Sequence, residues 1–319
     1  MKSLKGYFLI LGAAVFWGFS AMVAKFLFAH QQVDTLVLVQ MRMTLSCMVL
    51  LIFFLAFKRD LLRVKVKDLY RFALLGIIGG AGSNFTYYFT IKETNVATAI
   101  LLQYLAPLLV LAYAAFTREE ELTLAKILAG IISLAGCFLA VGGEHFSLLN
   151  ISRLGMITGL TSAFCWAFTN IMLRHLLREY KVWTTLVYAF IFASLFWLFF
   201  NSPSQVIEAH YSITSWEMFF GFAMISILIP HSFYFSGIRY LTASRAIITA
   251  TFEPIVAIVS AYFFLQELLS PIQLLGAAFV MSAIGILQLK QDKAQEIQPN
   301  VSLAPEHKSL QKIQDSTDP

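Results

Sequence analysis

Charge is scarce in this chain of 319 residues: Asp, Glu, Lys and Arg make up only 13% of it, against roughly 25% in a soluble globular domain. That is too little ionic surface to keep a folded chain of this size in water, and it excludes the ordinary soluble classes. Cysteine is nearly as sparse. Cys47, Cys137 and Cys165 all sit in apolar runs with no CxxC spacing, which excludes a disulfide scaffold or a zinc site and leaves them as small core residues. The apolar runs contain no HExxH, GxSxG, paired aspartates or His-rich stretch, and no phosphate-binding glycine loop occurs. A lipid-modifying membrane enzyme and an ATP-driven pump therefore lack their machinery, so the chain is read as not an enzyme and as needing no cofactor or metal. The net charge of +5 is explained by where the cations fall and implies no nucleic-acid partner.

What the chain has in abundance is hydrocarbon. Hydrophobic residues make up 59% of it, and its mean hydropathy is +0.74. The expected fold class is an all-α integral membrane protein embedded in a lipid bilayer. Apolar stretches of about 20 residues, enough to cross the hydrocarbon core as a helix, fall near 5–28, 34–57, 70–90, 94–116, 122–142, 154–174, 183–200, 216–238, 242–265 and 270–289. About ten transmembrane helices follow, joined by short connections. The first has no small-residue cleavage site and is read as a retained helix. Residues 291–319, rich in Gln, Lys, Asp, Ser and Pro, have the composition of a disordered cytoplasmic tail.

Cations set the orientation. With the N-terminus inside, the loops around Lys58–Arg71, Arg118–Lys126, Arg174–Lys181 and Arg239–Arg245 collect Lys and Arg on one face, while the connections on the other keep Lys92 and Arg153. The expectation is a cytoplasmic (inner) membrane protein with both termini cytoplasmic. The acidic run Glu119, Glu120 and Glu121 and the later Glu267 read as solvated helix ends.

The two halves repeat each other. GYFLILGAAVFWGFSAMVAK aligns with GMITGLTSAFCWAFTNIMLR, pairing Trp17 with Trp166, and Tyr87 precedes Pro107 by the interval at which Tyr234 precedes Pro254. Each half, residues 1–148 and 149–290, holds five helices. An odd number of spans makes the second enter from the opposite face, giving two inverted five-helix repeats. Alternating access uses such a symmetry; a receptor does not need it. A carrier for a small molecule is the leading class, and ten helices make a complete carrier, so a monomer is expected.

The openings AAVFWGFS and SAFCWAFT, the segments YLAPLLVLAYAAF and TFEPIVAIVSAYFF, and the runs EELTLAKILAG and QELLSPIQLLG resemble the EamA-like branch of the drug/metabolite transporter superfamily over residues 5–289. The resemblance implies a ten-helix secondary carrier with a central cavity between the repeats, commonly an exporter of amino acids or related metabolites. A drug or other small-solute permease of the same fold is the alternative. Four-helix drug exporters of that superfamily carry a membrane carboxylate in their first helix, where this chain offers Trp17 and Ser20.

The candidate site follows from polar groups that hydrocarbon does not tolerate. Glu253 lies near the middle of its span beside Pro254, whose missing amide frees the carbonyl of Ala250 and bends the helix. An ionised carboxylate there needs water, a partner or a proton. Arg42 lies about 12 Å into the second span, and it either pairs with Glu253 or faces the same polar interior. Together with Pro254 these are the candidates for coupling or gating, with protons as the candidate coupling ion. In the third and eighth spans, Asn84, Tyr87 and Tyr88 match the stretch holding His231 and Tyr234, with residues three apart sharing one helix face. Trp17, Ser20, Trp166 and Asn170 in the first and sixth spans and Gln103 in the fourth complete the candidate substrate-binding set. Interhelical hydrogen bonding and packing are the competing explanation for all of them.

Overall fold

The computed structural model describes residues 2–31, 35–94, 96–142, 152–199, 211–266 and 268–289. The terminal tail and Glu267 lie outside them. Among the described residues every regular element is helical and there is no strand. The first half contains α1 (Lys2–Gln31), α2 (Thr35–Phe57), α3 (Leu69–Leu74), a π-helical stretch (Leu75–Gly82), α4 (Ser83–Glu93), α5 (Val96–Gln103), α6 (Ala106–Thr117) and α7 (Leu124–Gly142). The second contains α8 (Arg153–Leu176), α9 (Val182–Trp197), α10 (Ile213–Ala223), a second π-helical stretch (Met224–Leu228), α11 (Ile229–Ile238), α12 (Ala243–Ala250), α13 (Glu253–Leu265) and α14 (Pro271–Leu289).

Helices are what a chain so poor in polar side chains must form in lipid, because each satisfies its own backbone where no water is available. Continued through their breaks, the helices among the described residues make ten crossings. Eight are long and apolar enough to span a membrane on composition alone, and Val182–Trp197 is apolar but shorter. The third crossing, Leu69–Glu93, carries Ser83, Asn84, Thr86, Thr90, Lys92 and Glu93 in its second half, so it looks inward for partners. Large apolar side chains face the other way: Phe8 is 67% exposed, Ile52 63% and Ile131 54%, an outer surface suited to acyl chains.

The inverted five-helix repeats are repeated in their irregularities as well as in their order. The fourth crossing of each half is a pair of half-helices, α5 then α6 and α12 then α13, broken at Tyr104–Leu105 and at Thr251–Phe252. Three of the bonds around the two breaks correspond. The amides of Leu105, Leu108 and Leu109 reach the carbonyls of Leu102, Leu105 and Leu105, while those of Phe252, Ile255 and Val256 reach Thr249, Phe252 and Phe252. Pro107 and Pro254 sit in the first turn of the half-helix that follows, where a missing amide costs least. The third crossing of each half widens into its π stretch just before the polar residues Asn84 and His231, a distortion common beside functional sites.

Small residues bring the last crossings of the two halves together. A methyl group on Gly276 of α14 would lie 2.4 Å from the Ala140 amide nitrogen and 2.6 Å from the Gly136 carbonyl oxygen of α7. Only hydrogen fits where two backbones meet this closely. Because the collision is with backbone, no side-chain rotation relieves it. Gly276→Ala is therefore expected to separate α7 from α14 and destabilise the protein by about 1–3 kcal/mol, read as a lower midpoint of thermal unfolding in detergent; Gly285→Ala, which meets nothing within 4 Å, is the control and stays near wild type.

Candidate functional site

The broken crossings, the π-distorted crossings and the first crossings of both halves converge on a cavity of about 160 Å³, the size range in which protein cavities hold a benzene-sized molecule. Its wall brings together Trp17, Ser20, Arg42, Asn84, Tyr87, Tyr88, Gln103, Trp166, His231 and Glu253. These residues come from seven crossings and from both repeats. Asn170, Tyr234 and Pro254 do not line it. Asn170 and Tyr234 are fully buried behind it, where the Tyr234 hydroxyl donates to Asn170 Oδ1 and Asn170 Nδ2 donates to the Trp166 carbonyl at 2.8 Å.

The aromatic wall is held from both halves. Trp17 meets Trp166 edge to face at 5.8 Å, and Tyr234 packs 5.3 Å from Trp17 and 5.5 Å from Trp166. Asn170 and Tyr234 thus support the indoles from behind. Gly18 lets the adjacent acid in: a methyl there would fall 2.6 Å from the carbonyl oxygen of Glu253, so α1 carries the first turn of α13 directly against its backbone.

Arg42 is the buried cation of the cavity, 9% exposed. Its Nη2 donates to Asn84 Oδ1 at 2.6 Å, and its guanidinium lies 5.3 Å from the Tyr88 ring and 5.9 Å from the Phe222 ring, the range of a cation–π contact. Asn84 in turn donates from Nδ2 to the Gly80 carbonyl at 2.8 Å, inside the π stretch. Both ends of the Asn84 amide are therefore occupied in orienting the arginine. Arg42 Nε is buried without a hydrogen-bond partner. Glu253 stands in the same cavity with the Tyr104 hydroxyl as its hydrogen-bonding neighbour, and it interacts with Arg42 through space. Of the two arrangements open to the sequence, a direct pair or a shared interior, the structure has the shared interior.

His231 directs Nδ1 to the Ile227 carbonyl at 2.9 Å; with that nitrogen donating, the neutral ring keeps its lone pair on Nε2. The ring stands edge-on to Trp17 at 5.3 Å and to Phe190 at 5.7 Å. Gln103 Nε2 donates to Ser162 Oγ at 2.8 Å and to Ser83 Oγ at 3.3 Å, joining the fourth, sixth and third crossings. Ser20 turns its hydroxyl back to the Trp17 carbonyl at 2.8 Å. Ala250, whose carbonyl loses its α-helical donor to Pro254, lies on the cavity wall, and the neighbouring Thr251 carbonyl accepts from Cys137 Sγ at 3.8 Å. Tyr104, Phe222 and Ser226 also line the wall. Tyr104 was signalled by its place before a break, Phe222 by nothing local. Among the described residues no group of three or more His, Cys, Asp or Glu is placed to hold a metal ion.

A membrane-spanning bundle of two inverted repeats, with its polar cavity where helices break, has the architecture of a secondary transporter. The chain belongs to the EamA-like transporter family, whose model matches residues 4–142 and again 153–289. It is 24% identical over 289 residues to the uncharacterized inner membrane transporter YicL of Salmonella typhimurium, covering 89% of this chain and 95% of that protein. It is also 24% identical to the threonine/homoserine exporter RhtA of Escherichia coli K12 over 82% of this chain and 85% of that one. A solved protein chain superposes with a TM-score of 0.71 at 16% identity, covering 89% of this chain and 96% of its own length, a likeness of fold alone.

The Asn84 clamp makes a measurable prediction. Asn84→Ala leaves a buried guanidinium without its acceptor and is expected to cost about 1–3 kcal/mol. Replacing both partners costs less than orphaning one, so the double variant Arg42→Met with Asn84→Ala should recover part of that loss. Thermal unfolding of the two variants in one detergent checks it: a double variant less stable than Asn84→Ala alone would contradict the clamp.

Proposed function

We propose that the protein is a secondary carrier that exports a small amino acid or a related metabolite from the cytoplasm by alternating access, with the cavity around Trp17, Arg42, Asn84, His231 and Glu253 as its substrate site. The observation that carries this reading is the meeting, at one cavity between the inverted repeats, of a cation and a carboxylate that are not paired with each other. Opposite charges held apart on one wall suit a solute that carries both signs. The aromatic faces of Trp17, Tyr88 and Trp166 cover its apolar part. Likeness to an exporter of threonine and homoserine supports the amino-acid class, and the cation-rich loops support cytoplasmic termini in an inner membrane.

In this reading Arg42 receives the anionic end of the solute, and Glu253 and Tyr104 receive the cationic end or a proton. Exchange of the proton for the solute at Glu253 couples export to the proton gradient. His231 contributes an acceptor at Nε2. The bundle acts as a monomer, since both repeats of the complete cavity come from one chain. A permease for drugs or other solutes would use the same route, but no carboxylate lines the first crossing to serve as those exporters use one.

The test is efflux from proteoliposomes loaded with threonine, homoserine and other small metabolites, for wild type and Glu253→Gln, with and without a pH gradient. Selective, saturable efflux of an amino acid that follows the proton gradient in wild type and ignores it in Glu253→Gln is expected. Absence of amino-acid efflux overturns the substrate class. Equal gradient dependence in both proteins overturns the coupling role of Glu253.

A further inference from the structure

The acidic run after α6 does not line the cavity, yet two of its carboxylates make bonds to the other repeat on the cation-rich face. Glu120 is 11% exposed at its side chain. Its Oε1 accepts from the Ala243 amide at 2.7 Å and the Ser244 amide at 3.4 Å, and its Oε2 accepts from the Ser244 hydroxyl. The first repeat thereby caps the N-terminus of α12, a helix of the second repeat, in addition to that helix's own cap from Thr242. A carboxylate at this end is favoured by the helix dipole as well as by the free amides. Lys126, 1% exposed, stands 3.8 Å from the same carboxylate and donates to the Glu121 carbonyl at 2.6 Å, holding the loop in place.

Glu119, one residue away, crosses the same seam. It accepts from the Tyr113 hydroxyl at 2.9 Å and lies 3.0 Å from His175 Nε2 and 3.6 Å from Arg178 Nη2. Burial pushes the Glu119 carboxyl up, but the hydrogen bonds from Tyr113 and His175 and the neighbouring charges outweigh it and hold it below the usual range. The expectation of solvated helix ends is corrected for Glu120, whose carboxylate is spent on the other repeat; Glu119 and Glu121 are exposed, with Glu119 also reaching His175 and Arg178 of the other repeat.

The position of these bonds decides their meaning. Helix α12 runs from Glu120 at the cation-rich face to the break beside Glu253 at the cavity. On the cavity's side of the break there is room for a solute, whereas the space under the acidic loop, lined by Val110, Tyr113, Arg174 and Ala243, is about 10 Å³, room for about one water. The seam between α12 and the loop after α6 is thus shut to a solute, and it opens to one if α12 parts from that loop.

We infer that Glu120, with Glu119 beside it, is the latch of the carrier's gate at the cation-rich face: its capping bonds to α12 exist in the state closed there and are broken in the state open there. This rests on the alternating-access reading above and adds the residues that set its balance. Glu120 is a positioning residue in this scheme, acting on the cavity through α12 without touching the solute. Weakening the latch shifts the resting population toward the state open at the cation-rich face, which also closes the opposite side.

The test needs no substrate. Val110→Cys, buried under the latch, and Ala21→Cys, exposed on the cavity wall, are each labelled with a membrane-impermeant maleimide in sealed vesicles, with the reagent on the face each residue would open to. The chain with its three native buried cysteines gives the background. With Glu120 intact, Ala21→Cys is expected to label and Val110→Cys to resist. With Glu120→Ala added, labelling of Val110→Cys should rise severalfold while labelling of Ala21→Cys falls, and Glu120→Asp should restore part of both changes. A rise at both positions means a loosened bundle and overturns the latch, as does no change at either. Because amino-acid efflux is not measured, a latch that fails here leaves the substrate reading standing, and a wrong substrate leaves the latch test unaffected.

Discussion

A helix interrupted halfway across a membrane has to find partners for the backbone groups it frees, and the rest of this protein is arranged around two such interruptions. The breaks at Tyr104–Leu105 and Thr251–Phe252 are followed by Pro107 and Pro254, which have no amide to give back. Hydrocarbon cannot satisfy those groups, so other helices and a polar cavity must. Cys137 reaches the Thr251 carbonyl, and Gly18 allows α1 to lie against the Glu253 carbonyl. The cavity wall continues with Ala250, Gln103, Tyr104 and Glu253 from the same two broken crossings. Glu253 is tolerated at that depth for the same reason: the break opens its surroundings to polar neighbours.

From this constraint the division of labour follows. Most residues facing the cavity are polar or aromatic, and they come from both repeats, while those one layer behind fix their geometry. Asn84 holds Arg42 and is itself anchored to the π stretch; Tyr234 and Asn170 brace the two indoles. A substitution in the second layer therefore reaches the cavity without touching a solute. At the cation-rich face the same logic is applied to a helix end: α12 begins with free amides, and the carboxylate that satisfies Ala243 and Ser244 comes from the other repeat.

Much of this was legible in the residues, and the exceptions have physical causes. Spans could be read because lipid enforces continuous apolar runs, and the inverted repeat because Trp17 and Trp166, or Pro107 and Pro254, keep their spacing. The helix break was legible through proline. The π stretches were not, since Leu75–Gly82 and Met224–Leu228 depend on what packs against them and leave no local signature. The three-residue spacing of His231 and Tyr234 did not reveal their depth: His231 reaches the cavity wall and Tyr234 is covered by the tryptophans. Charge left open whether Arg42 pairs with Glu253 or shares its interior, and did not reveal that the guanidinium donates to Asn84. Glu120 looks like a solvent-facing acid in sequence, because nothing in a one-dimensional chain reveals that α12 starts beside it.

Alternating access, as proposed for this protein, requires that one cavity is reached from one face at a time. Spin labels at Thr117 and Lys181 report the separation of the two repeats across the cation-rich face, and labels at Lys92 and Ser212 report it across the other. Distances measured by pulsed electron resonance in nanodiscs, with and without a saturating solute that the protein transports, should show two populations at each face whose weights change in opposite directions. A single unchanging distance at both faces, or parallel widening at both, would contradict the account.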